Sequence, residues 1–320
     1  MTQATTQVTG ALMSRPAKPP LRRLRDWLAN PWGRARFLVV ITWLYTVSSI
    51  LPVLIAIQFS FNAGRSVTSW QGFSLTRWYW GDPVNSVWHD PTLQNALFQS
   101  LRLAALDMAI ATPLGVMLAI GLARWRGPAA SASNFLMLFP LVTPEIVMGV
   151  ALSLVFLYLF TFIHPSTTAQ VLGHVTFSLS YVVVVVRGRL FSIGRQYEEA
   201  AADLGATPWQ TLRLVLLPLL LPAIFSSLMI VFAISIDDFV ISQWLSCGAG
   251  CDTIPIRIYS ATRAAPLPSV NALAAIMVYF TLAAVLLAYF AFRLMTRGER
   301  PAGEKGSVKS MVGDMGAFDI

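Results

Sequence analysis

Six stretches of almost pure hydrocarbon side chains run through the chain, at about 37–61, 94–121, 134–160, 170–187, 219–245 and 270–294. A helix needs about 20 apolar residues to cross the roughly 30 Å hydrocarbon core of a bilayer, and these stretches meet or approach that length. The sequence therefore predicts an all-α, integral membrane fold with six transmembrane helices. The fourth stretch is the shortest and, through Val182–Val186, the richest in β-branched residues. In water such a run favours a strand. In lipid an isolated strand leaves its amides and carbonyls unpaired, so a helix is predicted there too. Composition agrees: 56% of the 320 residues are hydrophobic and only 12% are charged, about half the charged share of a soluble domain.

Net charge is +8, and the placement of the 23 Lys and Arg residues says why. With the N-terminus in the cytoplasm, 18 of them fall in cytoplasmic segments and four (Arg65, Arg77, Arg257, Arg263) on the opposite side, with Arg102 inside a span. Basic residues accumulate on the cytoplasmic side of membrane proteins, so both termini and the polar insert at 195–218 are predicted to be cytoplasmic. The cluster "LRRLRDW" is juxtamembrane, which marks it as a topological and lipid-contact signal. No nucleic-acid partner is expected. Three regions follow: a basic cytoplasmic segment at 1–36, the six-span domain at 37–296, and a flexible cytoplasmic tail at 297–320. No cleavable signal peptide is expected, because the first apolar run, about 25 residues, exceeds a signal-peptide core. Cys247 and Cys251 flank "GAG" in an outer loop and stand either as a disulfide or as free thiols.

The insert interrupts this hydrocarbon with "YEEAAADLGATPWQTLRLVLLPLLLP". Residues Glu198 to Asp203 favour a helix, with acids early where the helix dipole welcomes them. Gly205 is placed to end it in a left-handed turn, and Thr207 with Pro208 to cap and begin a second helix. Pro218 and Pro222 are expected to stop that second helix and begin the next span. A lipid-facing segment gains nothing from such a device, so a partner in water is expected to read it.

Glu199-Ala200-Ala201, then Gly205, Val215 and Leu217-Pro218, resemble at every spacing the EAA loop of ABC importer permeases, with Val215 standing where the family pattern has Ile. "PEIVMGV" (144–150), "SIDDFVIS" (235–242) and "TIPIRIYS" with "PSVNALAAI" (253–276) resemble the spermidine/putrescine branch. The resemblance covers about residues 37–296 and implies a bacterial inner-membrane protein working with a second permease subunit, a paralogue, two ATPase subunits and an extracytoplasmic solute-binding protein. It also implies that Glu198, Glu199, Ala200, Ala201 and Gly205 form a coupling helix docking on the ATPase. No cofactor is expected in this chain; ATP and Mg belong to the ATPase partners.

Four acids fall within the spans, Asp107, Glu145, Asp237 and Asp238. Each costs about 2.5–3.5 kcal/mol at a span centre, so such groups face a bundle interior or a water-filled path. An acid-lined path suits a cationic solute. Thr143-Pro144-Glu145 also reads as a helix restart inside the third span, where Glu145 caps the new half. Asp237 and Asp238 diverge by about 100° on a helix, so one of them is expected to face the path. Asp107 and Arg102 lie on different helix faces. No catalytic or nucleotide-binding motif is present, so the chain is not expected to be an enzyme. Trp70, Phe73, Trp78, Tyr79, Trp80 and Trp88 in the first outer loop read mainly as interfacial belt residues. The rival reading is a stand-alone secondary transporter or channel, and a closer one is an importer of another solute, such as ferric iron or a phosphonate.

The charge asymmetry makes a topological prediction. With Cys247 and Cys251 replaced, single cysteines at positions 130, 200 and 310 should resist an impermeant thiol reagent in intact cells. Labelling of position 200 in sealed cells would reverse the orientation.

Overall fold

The computed structural model describes residues 36–124, 127–264 and 267–295. The basic segment 1–35 and the tail 297–320 lie outside the described residues. The chain divides into two units, Met1–Leu51 with Pro301–Ile320, and Pro52–Arg300. The helices are α1 (Arg36–Ser60), α2 (Pro91–Arg124), α3 (Pro128–Val142), α4 (Glu145–Tyr158), α5 (Thr167–Ile193), α6 (Gln196–Asp203), α7 (Pro208–Thr211), α8 (Leu217–Asp237), α9 (Val240–Leu245), α10 (Ile254–Ala264) and α11 (Pro268–Met295). Among the described residues the fold is all-α.

Among the described residues five helices are long and apolar enough to cross a membrane singly, and α3 with α4 makes a sixth span if the bent pair counts as one. The bend between them is 110°. The restart expected at Pro144 is therefore a sharp turn within the third apolar run. Its cause is local: a residue before proline avoids the helical region, and Thr143 is extended, with ψ of 128°. At 15 and 14 residues, each half rises only about 21–23 Å, too short to cross alone.

In the larger unit, α2, α5 and α8 pack together at the centre. Ala111, Gly115 and Ala119 recur every four residues on α2, and this small-residue stripe lets α5 approach closely. Across it lie Val182, Val183, Val186 and Leu190 of α5, with Leu216, Leu220 and Val231 completing the cluster. The valine run is thus helical. Its helix is longer than the apolar stretch predicted, because Ser166 caps it by accepting from the Ala169 amide and Gly194, at φ of 72°, ends it. A second cluster joins Phe156 of α4 to Ala169 and Phe177 of α5 and to Ile241 and Leu245 of α9.

The fifth apolar run is not one helix. It breaks after Asp237, and α9 restarts at Val240. Its beginning also departs from expectation, because Pro218 does not stop the preceding helix. Leu212–Leu216 widens into a π turn, closed by the Leu217 amide donating to the Leu212 carbonyl, and the chain continues directly into α8. Pro218 has no amide to give, and the wider turn absorbs that loss.

The segment between α1 and α2 is ordered by Trp78. That side chain is fully buried among Val87, Leu93, Leu97, Ile254 and Leu273, and its indole N–H donates to the Asn62 carbonyl at 2.6 Å. It is core, not interfacial belt. Trp70, Phe73, Trp80 and Trp88 remain exposed.

The small-residue stripe makes a paired prediction. A Cβ on Gly115 would lie 2.5 Å from the Val182 Cβ, whereas one on Gly121 would meet nothing within 4 Å. Gly115→Ala should destabilise the detergent-purified protein by about 1–3 kcal/mol, lowering its melting temperature. Gly121→Ala should leave the melting temperature unchanged or slightly raised.

Candidate functional site

Every fourth residue of one face of α5 is polar: Gln170, His174 and Ser178, all buried, with Thr167 one turn earlier. This stripe organises the interior. Gln99 of α2 donates from Nε2 to Gln170 Oε1 at 2.8 Å and to Thr167 Oγ1 at 2.9 Å. Gln170 Nε2 in turn donates to the Ser242 and Cys251 carbonyls, both at 3.0 Å. Those carbonyls belong to α9 and to the loop after it, so a single amide holds the second half of the broken span.

One helical turn further along, His174 spans the break itself. Its Nδ1 lies 2.8 Å from Ser235 Oγ on α8. Its Nε2 lies 2.9 Å from Ser242 Oγ on α9 and 3.2 Å from Asp238 Oδ2. A carboxylate only accepts, so Nε2 is the donor in that last pair. Asp238 then accepts from the Ile241 and Ser242 amides at 3.3 and 2.7 Å, meeting the amides that the interruption leaves open. The break is held from both sides by one imidazole. Next along the stripe, Ser178 Oγ donates to Asp107 Oδ2 at 2.7 Å.

The four intramembrane acids therefore fall into two classes. Asp107 is fully buried, and the side chain of Asp238 is 6% exposed; both are built into the packing. Glu145 and Asp237 are exposed, one at the restart of α4 and the other at the end of α8. Glu145 lies within electrostatic range of both Asp238 and Asp237. The two interrupted spans also touch: α4 packs on α9, and a Cβ on Gly149 would come within 3.0 Å of the Trp244 ring. Arg102 is exposed while Asp107 is buried, in keeping with their different helix faces.

His174 was not among the residues singled out from sequence. Its signal was present nonetheless, as polar side chains four apart at 170, 174 and 178 within an apolar run.

In the insert, α6 ends in paired bonds from the Gly205 amide to Ala202 O at 2.9 Å and from the Ala206 amide to Ala201 O at 3.0 Å. That Schellman closure requires the left-handed residue that Gly205 supplies, at φ of 81°. Thr207 and Gln210 form a full capping box at the start of α7. Ala201 is buried and Glu199 exposed, while Glu198 turns inward to an ion pair with Arg124 at the end of α2. Cys247 and Cys251 are joined as a disulfide, with their Cα atoms 5.3 Å apart.

A bundle in which two interrupted spans meet, with an exposed carboxylate at each break and a capped helical insert, suits a transport subunit. Residues 111–301 match the family described as the binding-protein-dependent transport system inner membrane component, and the chain belongs to that family. It is thus a multi-pass inner-membrane permease. It is 36% identical over 277 residues to the putrescine transport system permease protein PotI of Escherichia coli (strain K12), a match covering 85% of this chain and 93% of that protein. It is 37% identical over 259 residues to the spermidine/putrescine transport system permease protein PotC of Haemophilus influenzae, covering 81% and 94%. Among solved structures, a bacterial ABC transporter involved in the import of the acidic polysaccharide alginate shares the fold. Its TM-score is 0.66 at 18% identity, over 87% of this chain and 98% of that one.

The imidazole bridge is open to test. Removing His174 leaves the buried Asp238 carboxylate without its side-chain donor, held only by the Ile241 and Ser242 amides, a loss of about 1–3 kcal/mol. His174→Ala should therefore lower the melting temperature sharply, while Asp237→Ala, at the exposed neighbour, should stay within about 0.5 kcal/mol of the parent. Equal effects from both would remove the distinction between buried and exposed acids.

Proposed function

We propose that this chain is the permease subunit of an ATP-driven importer that carries a polyamine cation, of the putrescine or spermidine class, into the cytoplasm. The observation that carries the reading is the pair of exposed carboxylates, Glu145 and Asp237, at the two places where transmembrane helices are interrupted. An interrupted helix exposes backbone groups and side chains to a solute at membrane depth, and carboxylates there attract ammonium groups. The names of the two relatives, which are putrescine and spermidine/putrescine permeases, support the same cargo. Membership in a binding-protein-dependent family favours this over a stand-alone carrier or channel.

In this reading Glu145 and Asp237 touch the solute, while Asp107 and Asp238 keep the helices in register. Both termini and the insert face the cytoplasm, where α6 acts as the coupling helix. Glu199 and the exposed Leu204 face an ATPase subunit, which holds the ATP and Mg. Each of two ATPases engages one permease chain, and the second permease is a paralogue. An extracytoplasmic binding protein delivers the solute at the opposite end of the bundle.

The test uses the complete complex in proteoliposomes. A well-made charge-assisted contact is worth about 1.5–3 kcal/mol, so Glu145→Gln and Asp237→Asn should each raise KM for labelled putrescine about 10-fold or more, with assembly intact. An unchanged KM in the double mutant would reject the acid-lined path. Gly205→Val places a β-branched residue at positive φ, at a cost of about 1–2 kcal/mol, and should misdirect α7. Solute-stimulated ATP hydrolysis and uptake should then fall together; normal stimulation would show that α6 is not the coupling element.

A further inference from the structure

The acidic doublet at the start of α6 is divided between two tasks. Glu198 and Glu199 are neighbours on a helix and so point about 100° apart. Glu199 is exposed. Glu198 lies on the side of Ala201, three residues on, which is buried. Its carboxylate is engaged by the Arg124 guanidinium, and both side chains are largely covered, at 24% and 28% exposure.

Arg124 is the last of the 34 residues of α2. Just inside it, Ala119 and Leu122 of α2 share one apolar cluster with Ile193, at the end of α5, and Leu216, at the start of the fifth span. Arg195 brings a like charge within range of Arg124, so the Glu198 carboxylate also offsets a local excess of positive charge.

Three routes therefore lead from the insert into the bundle. Two are covalent, from α6 back through Gly194 into α5 and from α7 through the π turn into α8. The third is the Arg124–Glu198 pair, leading into α2, which carries Gln99 and Asp107 to the polar stripe of α5. We propose that Arg124 is a positioning residue of the coupling machinery: through Glu198 it fastens the insert to α2, so that displacement of α6 moves α2 and α8 together. The proposal rests on the reading of α6 as the coupling helix, and it removes Glu198 from the set of residues that contact the ATPase.

The experiment compares Arg124→Gln, Glu198→Gln and the charge swap Arg124→Glu/Glu198→Arg, each reconstituted with its partner subunits and binding protein. Two readouts are taken: putrescine imported per ATP hydrolysed, and retention of the ATPase subunits on the tagged permease. Each single variant should lower the transport-to-hydrolysis ratio at least fivefold with ATPase retention within twofold of the parent. The swap should recover at least half of the ratio. Loss of ATPase retention in Glu198→Gln, or a swap no better than the singles, overturns the proposal. Should the single variants fail to assemble, the swap decides alone: assembly with a normal ratio supports the tether, and assembly with a low ratio overturns it. Gly205→Val, measured in parallel, separates the two levels of the argument. Normal stimulation in that variant means the coupling reading itself has failed; uncoupling there without rescue by the swap means that only the tether has.

Discussion

Inside a bilayer no water waits to receive an amide that leaves its helix, and this single constraint governs the larger unit of the chain. The fifth span is interrupted all the same, between Asp237 and Val240. What makes the interruption tolerable is a set of side chains from outside it. His174 bridges Ser235 and Ser242 across the gap, Asp238 receives two amides, and Gln170 donates to the Ser242 and Cys251 carbonyls. The bonds from His174 and Gln170 depend on α5 lying close to α9, and it lies close because Gly173 has no side chain there: a Cβ would come within 2.5 Å of the Leu245 side chain and 2.8 Å of that of Ile241. Packing and polar satisfaction are thus one arrangement.

Much of this fold was legible in the sequence, for reasons that differ by element. The apolar runs were unmistakable because lipid demands length and hydrophobicity, and even the valine-rich run resolved correctly once unpaired backbone groups were weighed. The insert was legible because its signals are local: Gly205 and Thr207 do in the structure what their residue types suggest, within a few residues of themselves. The structure of the breaks was less accessible. Pro144 announced a restart and accounts for the extended Thr143, yet residue type alone does not set the angle at 110°. The break at Asp238 carried no proline or glycine, because it is made by His174, more than sixty positions away in the chain.

The candidate site shows the same limit. Four acids could be picked out from their cost in lipid, but not sorted. Burial separates Asp107 and Asp238 from Glu145 and Asp237, and burial is a property of helices brought together from separate parts of the chain. Glu198 illustrates it most directly: beside Glu199 in sequence, it faces the other way because Arg124 of a distant helix is there to receive it. Trp78 likewise reads as one more aromatic of a membrane belt until Asn62 and Leu273 are seen around it.

The sorting of the acids bears on how such a chain adapts to a change of cargo. Asp238 and His174 are bound to each other and to the serines and amides around the break, and Asp107 is held by Ser178, so altering any of them disturbs a buried partner. Glu145 and Asp237 stand at the surface of the same breaks, and in the proposed role their replacement changes the sign or reach of what lines the path while leaving the supporting network whole. Selection for a new nutrient can therefore act on two positions almost free of structural debt, and a lineage of importers can diversify its diet without rebuilding its bundle.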